Sequence, residues 1–215
     1  FLTHDARGRE LPDYLVRLAE TLAEPQKAIL EEVKYLQNNI DHIKEIVSMQ
    51  QNHARVAGVL ETLEVAEIIE DAISISRVGL MHHGVSLVRE FETVPPVVLD
   101  RHKVMPILVN LLSNAKHALA ELTEEKQLKV RVSMDGGDTV QIKIIDNGAG
   151  IAPENLTRIF QHGFTTKKDG HGFGLHSGAL AAREMGGKLM AESGGVGRGA
   201  VFTLELPLSH PNQTI

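Results

Sequence analysis

Two asparagines, one aspartate and a run of glycines are the residues of this chain whose types and spacing could do chemistry. Asn110 and Asn114 stand one helical turn apart, so a helix would carry both carboxamides on one face. Asparagine is a poor helix former because its side chain competes for backbone groups, and a pair of them on a polar stripe calls for a reason. One reason is a solvated helix face. The other is a carboxamide oxygen on Mg²⁺, a hard cation that prefers oxygen ligands and nucleotide phosphates. Asp146 closes an apolar run and is followed by Asn147-Gly148-Ala149-Gly150. A carboxylate only accepts hydrogen bonds. At a pocket floor it would receive the exocyclic amine of adenine, while Gly148 and Gly150 let the backbone approach a flat base. The same D-x-G-x-G string also serves as an ordinary turn. Gly170, Gly172 and Gly174 alternate just before a helical stretch, where backbone N–H groups and a helix N-terminus gather anions. Lys167 or Lys168 would add a point charge for a β- or γ-phosphate, and so polar a loop suits a mobile lid. It has neither the G-x-x-x-x-G-K-[ST] spacing of a P-loop nor the dinucleotide fingerprint after a strand.

Those residues need elements to hold them. Asp100–Leu122 reads as a strongly amphipathic helix, with Ile107, Leu108, Leu111, Leu112, Ala115, Ala118 and Leu119 on one broad face and Lys103, Asn110, Asn114 and His117 on another stripe. Val65–Ser76 reads as a further helix. Val85–Phe91 and Val97–Leu99 read as strands. Leu128–Met134 and Val140–Asp146 form a hairpin across Asp135-Gly136-Gly137-Asp138. Pro153–Phe160 suggests a short helix, and Leu175–Met185 a helix ended by Gly186-Gly187. Lys188–Glu192 and Ala200–Leu206 complete the strands, joined by a glycine-rich turn. Ahead of all this, Leu11–Ala23 is weakly helical. A long helix after Pro25 then carries an apolar seam at Ile29, Val33, Leu36, Ile40, Ile43 and Val47. That is heptad spacing, and the seam needs a partner helix, from dimerisation or from a helix outside the chain. A helix packed on its own domain is the alternative.

Composition bounds the function. The 215 residues are 42% hydrophobic and 23% charged, ordinary for a globular protein. A net charge of −6 gives no general basic field for nucleic acid. No apolar run approaches membrane-spanning length, so the chain is expected to make no membrane contact and to be cytoplasmic. There are no cysteines, which excludes disulfides and thiolate zinc sites. The chain opens at Phe1 without a signal-peptide pattern, and it reads as a piece of a longer protein.

Taken in order, the motifs resemble the N, G1, F, G2 and G3 boxes of a sensor histidine kinase catalytic and ATP-binding domain, a branch of the GHKL superfamily. N-L-L-S-N-A-K-H-A is similar to the N box, D-N-G-A-G-I to G1, and I-F-Q-H-G-F-T-T-K to the F box. G-H-G-F-G-L is similar to G2, and G-R-G-A-V-F-T-L-E-L-P to the last box and closing strand. The resemblance implies an α+β fold: a two-layer sandwich of the Bergerat type, a mixed sheet with helices on one face, preceded by a long helical hairpin segment. It implies a helical dimerisation and phosphotransfer segment at 1–57, an ATP-binding catalytic domain at 58–208 and a polar tail at 209–215. It implies ATP and Mg²⁺, a homodimer through the N-terminal helices, and a response-regulator receiver domain as partner. Asn114 would ligate Mg²⁺ and Asn110 would contact phosphate. Asp146 would read adenine in a pocket shaped by Gly148 and Gly150. Gly170, Gly172 and Gly174, with Leu175 at the helix start, would hold phosphate, and Thr166 and Lys167 would act from the lid. His117 would join the nucleotide-binding set, although it stands where the family often has lysine, and Ala200 stands where the family often has threonine.

The hydrolysing ATPases of the superfamily place a glutamate one turn before the metal-binding asparagine, as general base for water. Here that position is Asn110, whose neutral carboxamide takes no proton. The resemblance therefore favours transfer of the γ-phosphoryl group to a histidine and on to a regulator aspartate. The competing expectations are an anti-sigma-type serine kinase and a nucleotide-dependent interaction module of the same fold. Acceptor histidines of the family usually precede an acidic or amide residue, whereas His42 precedes Ile43 and His53 precedes Ala54. The acceptor helix is expected upstream of Phe1.

Overall fold

The computed structural model describes residues 60–82, 84–120, 122–167, 170 and 172–209, with helical pieces at 13–18, 21–23, 25–30, 32–33 and 36. The chain divides into two compact units, Phe1–Ala54 and Arg55–Ile215. In the first unit Ile29, Val33 and Leu36 of the heptad seam are exposed on their helical pieces. Ile40, Ile43, Val47, His42 and His53 lie outside the described residues.

The second unit runs β1 (Glu61–Leu63), α1 (Val65–His82), β2 (Ser86–Phe91), β3 (Val97–Leu99), α2 (Arg101–Ala120), β4 (Gln127–Met134), β5 (Thr139–Asp146), α3 (Gly174–Glu184), β6 (Lys188–Glu192) and β7 (Ala200–Pro207). Among the described residues five strands form one mixed sheet in the order β2-β4-β5-β7-β6, and β1 pairs with β3 in a separate antiparallel ribbon. Only β2 and β4 run parallel. Alternation decides the faces. Val140, Ile142, Ile144 and Asp146 are buried while Gln141, Lys143 and Ile145 are half-buried, so one face meets the helices and the other meets solvent. The buried face joins Leu128, Val130, Leu204 and Leu206 to the apolar sides of the helices in one core. The expected two-layer α/β fold is what forms.

The helix α2 is central. Asp100 caps it: the carboxylate accepts His102 N at 2.9 Å, and its carbonyl accepts Lys103 N and Val104 N. Val104, Ile107, Leu108, Leu111, Leu112, Ala115 and Leu119 are buried, which fixes the rotation of the helix and turns the Asn110–Asn114 stripe outward from the core. Lys103 pairs with Glu184 at 2.7 Å and ties the start of α2 to the end of α3.

Three expectations are corrected. The first helix runs on to His82, because Leu80 is buried beyond Ser76 and continues the apolar side of Ile69, Ala72 and Ile73. Pro153–Phe160 is a single 3₁₀ turn at Pro153–Asn155 followed by turns, since Ala152 supplies no capping side chain. The short β1 was not anticipated. It is three residues long and set by its pairing to β3 rather than by any pattern of its own. The hairpin and the glycine end of α3 form as expected: Asp135 N bonds Thr139 O at 3.0 Å, and Gly187 N bonds Ala182 O at 2.8 Å.

Candidate nucleotide site

Asp146 sits at the end of β5, 5% exposed. Its Oδ1 accepts Gly148 N at 2.9 Å, and its Oδ2 is buried with no partner among the described residues. Burial pushes the carboxyl above the ordinary aspartate range, against the backbone N–H groups of Gly148 and Ala200, which pull it down. A buried acceptor left open in this way suits a donor from a ligand.

The turn after it is locked from two sides. Ala149 N donates to Ala118 O at 2.9 Å, and a Cβ on Gly148 would overlap that same carbonyl of α2. Gly150 has φ +69 and packs on Gly195 O. Gly197 N donates to Ala149 O at 2.7 Å and Gly199 N to Gly148 O at 3.2 Å. The glycine turn between β6 and β7 is thus interlocked with the one after β5. Ser193 pins the pair: its Oγ accepts Ile151 N at 3.0 Å and donates to Gly199 O at 2.6 Å. Asn147 ties the turn to the loop before β4, through Gln127 N at 2.8 Å and Glu125 O at 2.7 Å. Neither Ser193 nor Asn147 was singled out from sequence. The adjacency of Asn147 to Asp146 was the available signal, and for Ser193 there was none.

On α2, Asn110 lies beneath the start of α3. A Cβ on Gly174 would overlap its carboxamide, and its Nδ2 is buried without a partner among the described residues. Asn114 Oδ1 accepts Lys167 Nζ at 2.6 Å. Crowding by protein atoms, and then the nearby charge of Lys116, hold the Lys167 ammonium below the ordinary lysine range, although the residue as a whole is exposed. His117 is exposed, and its Nδ1 donates back to Ser113 O at 2.6 Å on its own helix.

The lid is fastened at both ends. Arg158 stacks on Phe164 at 4.5 Å, His162 lies 4.6 Å from Phe173, and His176 Nδ1 donates to Phe160 O at 2.9 Å. Gly163 N donates to Gly172 O at 3.2 Å, and Gly172 has φ +73. Thr165, not Thr166, shapes the turn: its Oγ1 accepts Lys167 N at 3.1 Å and stands against Gly170, while Thr166 is exposed. Leu175 is half-buried on α3 and packs on the core. Lys168, Asp169 and His171 lie outside the described residues. The structure therefore brings Asn110, Asn114, Lys167 and Gly174 together, and Asp146 with Gly148 and Gly150 at the next turn of α2. Thr166 is exposed, and the Nδ1 of His117 is engaged with Ser113 O.

A surface groove of about 350 Å³ runs along Ile145, Asp146, Glu192, Arg198 and Val201. It contains neither asparagine nor any lid residue, so the chemistry, not that groove, locates the site. No cluster of three or more metal-ligating His, Asp or Glu occurs among the described residues. One carboxamide oxygen beside a glycine loop at a helix start is a donor set that fits Mg²⁺ where nucleotide and water supply its other ligands.

The family model for histidine kinase-, DNA gyrase B- and HSP90-like ATPases matches residues 99–210. Sensor protein FixL of Bradyrhizobium diazoefficiens is 29% identical over 174 residues, covering 80% of this chain and 33% of its own length. Sensor histidine kinase ZraS of Salmonella typhi is 32% identical over 166 residues, covering 71% and 34%. The chain thus spans about a third of the length of these relatives. Among solved structures, the catalytic domain of histidine kinase ThkA superposes with TM-score 0.62 at 25% identity, over 70% of this chain and 97% of that one. Full-length ShkA with AMPPNP superposes with TM-score 0.70 at 19% identity, over 93% of this chain and 46% of its own, a likeness of fold.

Proposed function

The chain belongs to the histidine kinase-, DNA gyrase B- and HSP90-like ATPase family, as a sensor histidine kinase ATP-binding domain, and from that premise we propose that it binds Mg-ATP and passes the γ-phosphoryl group to a histidine, for relay to a regulator aspartate. Asp146 accepts the adenine amine on its open oxygen. Gly148 and Gly150 let the base lie against the turn. The backbone at Gly172 and Gly174 faces the phosphates, with Gly170 completing the lid. Asn114 holds Mg²⁺, and the metal neutralises charge on the transferred group. Lys167 reaches phosphate from the lid.

The observation that carries transfer rather than hydrolysis is Asn110. It lies one turn before Asn114, beneath Gly174, where the hydrolysing relatives have a carboxylate. A buried carboxamide orients but takes no proton, so water attack is slow. The exposed seam at Ile29, Val33 and Leu36 supports a homodimer through the N-terminal helices. No helix among the described residues is long and apolar enough to cross a membrane. One histidine of the chain, His4, precedes an acidic residue, Asp5; both lie outside the described residues.

Mg-ATP labelled on the γ-phosphate tests the proposal, with released phosphate and acid-labile protein label both followed. Binding with little release is expected. Acid-labile label on the chain puts the acceptor within it, with His4 the first residue to replace. Rapid phosphate release refutes the role given to Asn110.

A further inference from the structure

Among the described residues the lid reaches the asparagine stripe of α2 through Lys167. Lys167 Nζ donates to Asn114 Oδ1 at 2.6 Å, and this is the oxygen that the proposed function gives to the metal. Local geometry aims the lysine there. Lys167 N donates to Thr165 Oγ1 at 3.1 Å, and Gly170 N donates to Lys167 O at 3.2 Å. Gly170 stands so close to Thr165 that any Cβ would overlap the hydroxyl. The lid is folded back on itself with the ammonium turned toward α2. A second ammonium lies nearby: Lys116 crosses α1 at Gly79, where Nζ would stand 3.3 Å from an added Cβ, and its charge is felt at Lys167. A lysine held by one neutral carboxamide and repelled by another lysine is a contact poised for exchange. A phosphate draws the ammonium away, and a divalent cation competes for the oxygen it leaves.

We propose that Lys167 is a placeholder for the metal: its ammonium occupies the Asn114 oxygen in the nucleotide-free protein and releases it when Mg²⁺ arrives with the nucleotide. Metal loading and lid release are then one event. This rests on the assignment of Asn114 to the metal, and it gives Lys167 a task before any phosphate is present.

Hydrogen exchange of the lid amides in the nucleotide-free full chain tests it, on wild type, Asn114→Ala, Lys167→Gln and the double variant. Each single change is expected to speed lid exchange by about tenfold, the lower end of what one hydrogen bond to a charged group supplies. The double variant should go no further than either single, because both remove one contact. Calorimetry with ADP then reads the Mg²⁺ dependence of binding in Asn114→Ala. Unchanged lid exchange in the singles, or additive effects in the double, overturns the placeholder. If Asn114→Ala meanwhile abolishes Mg²⁺ dependence, the assignment of Asn114 stands without it. If Asn114→Ala keeps the wild-type dependence, that assignment fails and the placeholder falls with it.

Discussion

Replacing Asp146 with asparagine should move stability and binding in opposite directions. The side chain is 5% exposed, with Oδ1 on Gly148 N and Oδ2 unpartnered. Asparagine has the same shape and keeps an acceptor for Gly148 N, but it places an amide donor where adenine presents its own donor. The loss is that of a hydrogen bond to a charged acceptor, about 1.5–3 kcal/mol. At about 1.4 kcal/mol per tenfold, that is roughly one to two orders of magnitude in affinity for ATP. The nucleotide-free fold behaves differently. Burial raises the carboxyl's pKa in the folded state, so the folded protein binds that proton more tightly than the unfolded chain does. Its contribution is fully present below the ordinary aspartate pKa and is lost as pH rises through the raised one. At neutral pH the ionised Asp146 therefore burdens the fold, and a permanently neutral asparagine relieves it. Calorimetric titration with ATP and a thermal scan without nucleotide, both at neutral pH, read the two effects. Wild-type affinity in the variant would refute the adenine assignment. A lower melting temperature would show that the carboxylate serves the fold instead.

Four further changes probe the frame around the site. Gly174→Ala suits the first turn of α3, yet its Cβ overlaps the Asn110 carboxamide. Nucleotide affinity should fall with little gain in the urea midpoint, whereas a plainly stabilised variant with normal binding would free Asn110 from the site. Gly148→Ala meets the Ala118 backbone of α2, which cannot yield, and should cost about 1–3 kcal/mol in denaturant unfolding. Gly170→Ala forces the Thr165 hydroxyl to turn away from Lys167 N and should cost about 0.5–1.5 kcal/mol, less than Gly148→Ala; equal costs at the two positions would contradict the packing described. Ser193→Ala removes the bonds to Ile151 N and Gly199 O and should cost about 1–3 kcal/mol while loosening both glycine turns, seen as faster amide exchange at Ile151.

What could be read in advance was whatever a short stretch of chain decides alone. The apolar side of α2, the Asp-Gly-Gly-Asp hairpin and the glycine end of α3 each depend on neighbours within a turn or two, and each formed where its residues pointed. The elements that went astray depend on distant partners. The strand β1 exists because β3 lies beside it, and α1 continues to His82 because the core reaches Leu80. The site shows the same division. The residue types were legible, but the glycines were read for conformational freedom, and that is only part of why they are there. Gly150 and Gly172 do have positive φ; Gly148, Gly170 and Gly174 do not. The last three are glycines because another part of the chain occupies the space of their Cβ: Ala118 O, the Thr165 hydroxyl and the Asn110 carboxamide. Gly170 meets a neighbour in its own loop, but no local pattern encodes the other two: Gly148 and Gly174, which meet α2 from the turn after β5 and from the start of α3, are set by long-range packing.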